Sequence, residues 1–502
     1  MFSLFLLVVA SSCRTAELQP ASTLAELQQQ LRDYISQSKY AAALWGVKVV
    51  SLDTGKLLFE FNENKLLTPA SNTKLYTAAL ALDRLGSDYR IKSSIYARNK
   101  PDESGTVSGD VIVYGRGDPS VNARLHKGGL EDTLLLFVKA ISQAKVKRIA
   151  GDLIADCSYF QGPAIGSGWL TDDLQHAYGA EISALSVNDN ILRVRVTPGE
   201  RAGAACHISV LPGSAIAFMR VNNRTITVEK GGARTLQLRR HTSENVLDAS
   251  GQMTMGDAAQ SQDIPVHNPA ALFAFLLSDA LKRHGIELLG KARSVDCFGR
   301  QANPVGLDTF SELGAVESPP LRHLIKETLK ISQNLYSDLL LAHIGERSRS
   351  PETSQDATSE QLGIHELGNF LVKAGIPPNE VLFEEGSGLS RNNAATPNAT
   401  VALLQFMARQ ACSNVFFEAL PIAGVDGTLQ NRMKNTVAQG HVRAKTGTFN
   451  RDSSLSGQMQ TASGEHLVFS IMLNRYSSVP GHSGADVDPI AVMLAKFRGR
   501  SL

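Results

Sequence analysis

The sequence predicts an α+β fold in which both ends of the chain build one five-stranded antiparallel sheet between helices. Near the N-terminus, strand-like runs at 43–52 and 57–61 flank the turn residues Asp53-Thr54-Gly55-Lys56. Three strand-like runs follow near the C-terminus, at 442–446, 454–460 and 466–473. Because a two-stranded hairpin is not stable alone, we expect the two groups to share one sheet, with the residues between them forming an inserted region.

Composition excludes several classes of protein. The chain has 502 residues, 43% of them hydrophobic and 20% charged, which allows about two to four domains with real cores. The net charge is +2 and no basic block with interleaved aromatic residues is present, so we expect no nucleic-acid partner. Four cysteines besides Cys13 form no C-x-x-C pair and have no His at metal-ligand spacing, so we expect no metal and no cofactor. Disulfides and free thiols both stay open for these four: Cys157, Cys206, Cys297 and Cys412.

The first residues indicate export. Residues 2–10 form an apolar run that is too short to span a bilayer and is followed by Ser11 and Ser12, which is typical of a secretory signal segment, here 1–20. The sequence Ala10-Ser11-Ser12-Cys13 resembles a bacterial lipobox, so a lipid on Cys13 would tether the protein to a membrane. The alternative is cleavage nearby and a soluble protein. Either way we expect a periplasmic or cell-envelope location.

A helix is predicted to begin at the stretch 69–75, after an amphipathic helix at 22–37 and the hairpin. Its apolar residues recur at steps of three and four: Leu75, Ala78, Ala79 and Leu82. Ser71 and Lys74 then share a helix face, where a lysine amine can serve as the base for a serine hydroxyl if its pKa is lowered. The same S-x-x-K spacing begins at Ser36 and Ser142, so the spacing alone is not specific.

The region from about residue 89 to 300 has a different character, with short strands and many glycines. Two related strand-like runs, 109–113 and 151–155, flank a helix predicted near 130–143; they are either an internal βαβ unit or similar by chance. Residues 191–258 alternate apolar and polar side chains and predict a small all-β module. We therefore predict a domain from 21–88 and 301–502, an inserted α/β domain from 89–190 and 259–300, and an all-β domain at 191–258.

Two further motifs follow the insert. Ser332-Gln333-Asn334 lies between two predicted helices, and Lys445-Thr446-Gly447 lies on the first C-terminal strand. A strand edge can pair with an extended peptide, Gly447 lets that peptide approach closely, and Lys445 with Thr446 can hold a carboxylate. S-x-N alone means little because it recurs elsewhere in the chain. The order S-x-x-K, S-x-N, K-T-G is nevertheless the three-part signature of penicillin-recognising serine enzymes.

With these motifs the sequence resembles the low-molecular-mass class C penicillin-binding proteins, the D-alanyl-D-alanine carboxypeptidase/endopeptidases of the penicillin-binding protein 4 type. The resemblance covers nearly the whole mature chain and includes four further stretches: 114–120, 183–190, 386–391 and 424–429. It implies the penicillin-binding, serine β-lactamase-like transpeptidase fold, with two extra domains between Ser71 and Ser332. It also implies peptidoglycan stem peptides and cross-links as substrates and β-lactam antibiotics as covalent inhibitors. The oligomeric state does not follow from it.

Carried over to this chain, the resemblance makes Ser71 the acylated nucleophile and Lys74 its base. Ser332 and Asn334 would relay protons and orient the substrate amide. These roles agree with the chemistry of the residues, because acyl transfer needs an activated hydroxyl and a fixed scissile bond.

For the remaining motif residues, the resemblance implies that Lys445 and Thr446 bind the terminal carboxylate of the substrate. The backbone N–H groups of Ser71 and Thr448 would form the oxyanion hole. Donors aimed at the developing oxyanion are usually a large part of acyl-transfer catalysis, which is why these positions are candidates.

The insert contributes one candidate. Asp156 ends a predicted strand, where a carboxylate often faces a cleft, and an acid there could hold the amine of a diamino-acid side chain in the stem peptide; a solvated strand-end carboxylate is the alternative. The chain departs from the family pattern here, because relatives often carry two acids where it has Asp156-Cys157. Two other functions stay open: a serine β-lactamase, which the insert argues against, and a catalytically silent wall-binding protein, which the three complete motifs argue against.

Overall fold

The computed structural model describes residues 19–476 and 485–501, so the predicted signal segment and Cys13 lie outside the described residues. Within them the α-helices are Leu24–Ile35, Thr73–Leu85, Leu130–Gln143, Pro269–Arg283, Cys297–Ala302, Leu321–Lys330, Asn334–Ser348, Ser359–Lys373, Pro397–Ala408, Ser413–Glu418 and Asp488–Lys496. None of the helices in these ranges is both long and apolar enough to cross a bilayer.

Five strands from both ends of the chain form one antiparallel sheet, which confirms the predicted fold class; this sheet is called the main sheet. In spatial order its strands are Val442–Phe449, Asp452–Gln460, His466–Asn474, Leu44–Ser51 and Leu57–Phe61. The N-terminal hairpin joins the C-terminal strands through Leu44–Ser51, whose register with His466–Asn474 runs from Leu44 opposite Asn474 to Ser51 opposite Leu467.

Both faces of the main sheet are covered by helices, because successive side chains on a strand point to opposite faces. On His466–Asn474, Phe469 and Ile471 pack with the N- and C-terminal helices Leu24–Ile35 and Asp488–Lys496. Val468 lies on the other face, in the core formed by the remaining helices of this part of the chain. The helix Thr73–Leu85 is central there and almost entirely buried. Thus the Ser71 region is fixed between a sheet and a helical layer.

The insert is built on a second five-stranded sheet. Its strands, in spatial order, are Ala292–Val295, Leu153–Asp156, Val111–Tyr114, Lys92–Ala97 and Ser311–Glu317. Val111–Tyr114 and Leu153–Asp156 pair in parallel, with Val111 opposite Leu153, and the connection between them contains the helix Leu130–Gln143. The two related sequence runs therefore do form a βαβ unit.

The all-β part of the insert consists of two three-stranded sheets. Their strands are, in spatial order, Arg220–Val228, Val246–Thr254 and Gln237–Arg240 in one, and Gln260–Pro265, Ile191–Thr197 and His207–Leu211 in the other. The remaining short strands are Thr106–Val107, Arg148–Ile149 and Glu287–Leu288, which pair together, and Val381–Leu382 with Ala394–Ala395.

Two strands pair across the predicted domain limits. Gln260–Pro265 falls in the range assigned to the α/β domain but pairs with Ile191–Thr197. Ser311–Glu317 falls in the range assigned to the main domain, yet it pairs with Lys92–Ala97 at the edge of the insert sheet. The division of the chain into domains at the predicted limits stays a prediction.

Candidate active site

Ser71 lies in a single 3₁₀ turn, Ala70–Asn72, that runs directly into the helix Thr73–Leu85. Two hydrogen bonds hold this turn on the main sheet: Ser454 Oγ donates to the Pro69 carbonyl at 2.6 Å, and Asn72 Nδ2 donates to Ser456 Oγ at 2.8 Å. The predicted helix start is therefore found, with the serine one turn ahead of the regular helix.

The other two S-x-x-K stretches have no such setting. Ser36 caps the end of the helix Leu24–Ile35, and Lys39 lies in a separate 3₁₀ turn. Ser142 is near the end of Leu130–Gln143, and Lys145 lies beyond that helix with φ of 63°. In both, the lysine leaves the helix that carries the serine, so the shared helix face that the spacing predicts does not form.

Lys74 is fully buried, and its Nζ has three oxygen neighbours. It lies 2.9 Å from Ser71 Oγ and 2.6 Å from Asn334 Oδ1, and it donates to the Ser387 carbonyl. A neutral amine has two N–H groups and one lone pair. If the N–H groups go to Asn334 and Ser387, the lone pair is left for the Ser71 hydroxyl proton, which is the arrangement that a general base requires.

Burial lowers the pKa of Lys74 from its ordinary value to about 8, although the Glu385 and Asp338 carboxyls act in the opposite direction. Burial also lowers the pKa of Lys445 well below its usual range, and the nearby charge of Lys74 adds to that effect. Since a buried ammonium loses its hydration, two amines in one buried site favour deprotonation. Lys74 can therefore be neutral near physiological pH.

Ser332 brings the second and third motifs together. It connects the helices Leu321–Lys330 and Asn334–Ser348 with a positive φ of 61°. Lys445 Nζ donates to Ser332 Oγ at 2.8 Å and to the Thr446 carbonyl at 2.7 Å. Thr446 Oγ1 lies 2.8 Å from Thr428 Oγ1. One continuous polar network thus runs from the Ser71 turn through Lys74 and Asn334, with Lys445 and Ser332 beside it.

Gly447, which ends the strand motif, and Thr448, which follows it, differ in exposure. Gly447 is buried, and a Cβ there would lie 2.3 Å from the Pro69 carbonyl and 2.2 Å from Ser454 Oγ. The close approach that glycine permits is therefore to the chain's own Ser71 turn. Thr448 is exposed and lies on an edge strand of the main sheet. Contact of either residue with a substrate stays a prediction.

Asp156 is not placed as predicted. Its side chain has no solvent exposure, it forms an ion pair with the Arg300 guanidinium, and it accepts from the Ser158 N–H at 3.0 Å. Its neighbours Cys157 and Arg300 line a cavity of about 1290 Å³, but the carboxylate itself does not. The prediction that Asp156 faces an open cleft is wrong, because the strand end turns the carboxylate toward an arginine of the insert.

Sequence reasoning missed several groups around the site. The insert reaches it through Tyr178, whose carbonyl accepts from Asn334 Nδ2 at 2.9 Å. Arg391 pairs with the buried Asp173 of the insert, and its guanidinium stacks 4.9 Å from the ring centre of Phe449 at the end of the Lys445 strand. The Gly386-Ser387-Gly388 stretch could have indicated that this loop lies near the site, where the Ser387 carbonyl contacts Lys74. Nothing in the sequence predicts the contact between Tyr178 and Asn334.

The described residues offer no group of three or more His, Cys, Asp or Glu side chains arranged for a metal. The four cysteines after Cys13 are free thiols. Around Ser71 the three motifs bring together hydroxyls, amines, an amide and backbone N–H groups. These are the parts that define a serine hydrolase acting by acyl transfer.

Comparison with known proteins identifies the family. Residues 27–496 match the model of the D-Ala-D-Ala carboxypeptidase 3 (S13) family. A D-alanyl-D-alanine carboxypeptidase of Actinomadura sp. (strain R39) is 32% identical over 95% of this chain and 86% of its own. A penicillin-sensitive carboxypeptidase A of Dictyostelium discoideum is 27% identical over 90% of this chain and 87% of its own.

A solved structure agrees with the sequence relatives. Penicillin-binding protein 4 of Haemophilus influenzae superposes with a TM-score of 0.76 at 25% identity, over 94% of this chain and 98% of that one. The chain belongs to the D-Ala-D-Ala carboxypeptidase 3 (S13) family and is a serine-type carboxypeptidase that acts on peptidoglycan. The β-lactamase and the silent wall-binding protein are not favoured.

Proposed function

We propose that Ser71 is the residue acylated during this reaction and that Lys74 is its base. The observation that carries the proposal is the 2.9 Å contact between Lys74 Nζ and Ser71 Oγ at an amine whose pKa is lowered to about 8. Ser71 Oγ attacks the carbonyl carbon of the penultimate D-alanine while Lys74 takes the hydroxyl proton. That proton passes to the leaving amine as the peptide bond breaks, and water then hydrolyses the ester.

Ser332 and Asn334 support the proton transfers in this proposal. Ser332 Oγ bonds Lys445 Nζ, and Asn334 Oδ1 bonds Lys74 Nζ, so both side chains touch an amine of the site. The Ser332 hydroxyl can both donate and accept, so it can pass a proton to the leaving group. The Asn334 amide, fixed on its other side by the Tyr178 carbonyl, is positioned to orient a substrate amide.

Lys445 and Thr446 are the proposed clamp for the terminal carboxylate of the substrate. Lys445 is fully buried, so a carboxylate that reaches it forms a charge-assisted hydrogen bond in a low-dielectric site. The backbone N–H groups of Ser71 and Thr448 would stabilise the oxyanion. Release of a terminal D-alanine and cleavage of a cross-link both need only these groups, since the bond broken in each follows a D-alanine.

β-Lactams are the proposed covalent inhibitors, because the Dictyostelium relative is described as penicillin-sensitive and the clamp accepts a carboxylate. We also propose export to the cell envelope, on the apolar run at 2–10, with a lipid on Cys13 as the means of attachment. Mass spectrometry of the mature N-terminus in its native host tests both parts, since an unmodified protein that retains its first residues would contradict export.

The deciding experiment is labelling with a fluorescent penicillin, followed by mapping of the modified peptide. We expect one label per chain, on Ser71. Label on Ser36 or Ser142 would contradict the assignment, because in both stretches the lysine of the S-x-x-K spacing lies off the helix that carries the serine. Slow release of the label, with D-alanine released from a stem peptide, separates this enzyme from a β-lactamase.

A further inference from the structure

Two carboxyl groups lie buried beside Lys74 and take no part in the proposed reaction. Asp338 is on the helix Asn334–Ser348, one turn after Asn334, and Glu385 precedes the loop that carries the Ser387 carbonyl. Asp338 is 3% exposed and Glu385 is not exposed at all. Both carboxyls act on the charge of Lys74. Their protonation therefore matters for a reaction that needs Lys74 neutral.

Glu385 is surrounded by hydrogen-bond donors. Its Oε1 accepts from Gly388 N and Asn393 Nδ2, each at 2.7 Å, and from Ser390 N at 3.4 Å. Its Oε2 accepts from Ser387 N at 2.8 Å and from the Ser387 hydroxyl. An ionised carboxylate only accepts hydrogen bonds, and several donors stabilise it without a counter-ion. Glu385 is the group of the two that carries the negative charge.

Asp338 has the opposite environment. Its Oδ1 accepts from Gly386 N at 3.1 Å, whereas Oδ2 is shielded from solvent and has no donor among the described residues. The Asp338 side chain is within hydrogen-bonding reach of Glu385, and burial with that neighbour raises its pKa well above the usual range. Two adjacent buried carboxylates cannot both ionise cheaply, so one proton is shared by the pair. Asp338 Oδ2, which accepts no hydrogen bond among the described residues, is the oxygen that carries this proton.

We propose that Asp338 is a positioning residue that stays protonated and donates its carboxyl proton to Glu385, fixing the loop whose Ser387 carbonyl orients Lys74. The inference rests on the proposed role of Lys74 as the base. Glu385 holds the Ser387 backbone and hydroxyl, and the Ser387 carbonyl holds one N–H of the amine. A protonated Asp338 also leaves one negative charge near the amine instead of two, so Lys74 loses its proton more readily.

Infrared difference spectroscopy tests the protonation without reference to activity. Asp338→Asn keeps a donor for Glu385 and an acceptor for the Gly386 N–H but has no titrating proton. We expect the unlabelled protein at pH 7 to show the carbonyl stretch of a buried protonated carboxyl that is absent from Asp338→Asn. Identical carboxyl regions in the two spectra would overturn the proposal. This result does not depend on whether Ser71 is the nucleophile, so its failure is distinguishable from failure of the proposed function.

The pH dependence of penicillin acylation tests the effect on Lys74. With Asp338 neutral in the native protein, Asp338→Asn keeps the pH of half-maximal acylation rate where it is. If Asp338 were ionised, the substitution would remove a negative charge beside Lys74, and the midpoint would move to lower pH; that shift would overturn the proposal. Asp338→Ala loses the bond to Glu385, so we expect acylation to fall about tenfold or more at every pH, with Asn restoring most of it.

A matched control is available in the insert. Asp118 is also a buried carboxyl whose Oδ2 has no donor in the part of the chain that the structure describes, and burial raises its pKa to about 6. Asp118→Asn should leave the rate and the pH midpoint of acylation unchanged. An equal loss of acylation in Asp118→Asn would show that any buried carboxyl has this effect and would overturn the specific role of Asp338. If Asp338→Ala does not fold, the Asn variant and the spectra still decide.

Discussion

The Lys74 region and the Asp156 region both bury charged side chains, but they compensate them differently. Asp156 has no solvent exposure and forms an ion pair with Arg300, whose side chain is 18% exposed. Lys74 and Lys445 are equally buried. Loss of hydration lowers the pKa of each amine, and the nearby charge of Lys74 lowers the pKa of Lys445 further. In the first region two opposite charges meet directly, whereas in the second two amines with lowered pKa values share one buried site.

The difference separates structure from chemistry. In a buried pair of opposite charges each group stabilises the ionised form of the other. Neither group then exchanges a proton readily. The buried Lys74 amine, whose pKa is lowered to about 8, can be neutral near physiological pH, which a general base needs. We therefore expect substitutions in the Lys74 region to change acylation and those in the Asp156 region to change stability. The predictions that follow run from the largest expected effect on acylation to the smallest.

Ser71→Ala should abolish both penicillin labelling and D-alanine release, because no other described hydroxyl lies beside the Lys74 amine in reach of the same motifs. Gel fluorescence and D-alanine assay measure the two losses. Ser142→Ala is the matched control, since it removes the serine of another S-x-x-K stretch and should label normally. Persistent labelling of the Ser71→Ala variant would contradict the assignment of Ser71 as the acylated residue.

Lys74→Ala should lower the acylation rate by about 10²–10⁴, the usual contribution of a positioned general base. Stopped-flow measurement with a chromogenic penicillin gives the rate, and circular dichroism checks that the fold is kept. Lys145→Ala, in the stretch where the lysine leaves the helix, is the control. Rapid acylation by a folded Lys74→Ala variant would assign the base to another group, with Lys445 the next candidate.

Acylation by the unmodified enzyme should rise with pH through about 8, because Lys74 has a pKa lowered to about 8 and acts only when neutral. The neutral fraction of such an amine grows about 50-fold between pH 6 and pH 8. We expect loss of the charge on Lys445, whose pKa is also lowered, to oppose this rise, because the neutral amine binds a carboxylate less strongly. A profile that is flat between pH 6 and pH 8 would contradict the lysine base.

Lys445→Ala should weaken turnover of substrates with a free terminal carboxylate more than that of the same peptides amidated. Only the former lose a charge-assisted hydrogen bond, worth about 1.5–3 kcal/mol. The ratio of kcat/KM for the two substrates measures this difference and cancels any general loss through the Ser332 contact. Equal losses for both substrates would exclude the carboxylate clamp.

Features that depend on local sequence could be predicted, whereas features that depend on packing between distant parts of the chain could not. The three motifs and the five strands of the main sheet follow from spacing and alternation. Ser311–Glu317 was missed because its glycine and glutamates give no clear alternation, and its partner Lys92–Ala97 is far away in the chain. The Glu385 environment could not be predicted either, because four of its donors come from a loop whose path is set only by folding.

Asp156 is the residue where sequence and structure disagree most directly, and its substitution should affect acylation least. Asp156→Asn leaves Arg300 without its counter-charge in a largely buried position, so we expect a loss of about 3 kcal/mol in the free energy of unfolding. Urea denaturation measures that loss. Penicillin acylation should stay within about twofold, because no hydrogen bond links Asp156 to the Lys74 network among the described contacts.

A double variant sharpens this last test. Asp156→Asn combined with Arg300→Gln removes both charges, so it should recover part of the stability that Asp156→Asn alone loses, as a double-mutant cycle requires for a pair in contact. Stem peptides with a free side-chain amine and their N-acetylated forms should be affected equally by either variant. Asp156→Asn could instead slow turnover of the amine-bearing peptide selectively. The Asp156 carboxylate would then have to leave Arg300 and bind the substrate, which would contradict a purely structural role for this residue.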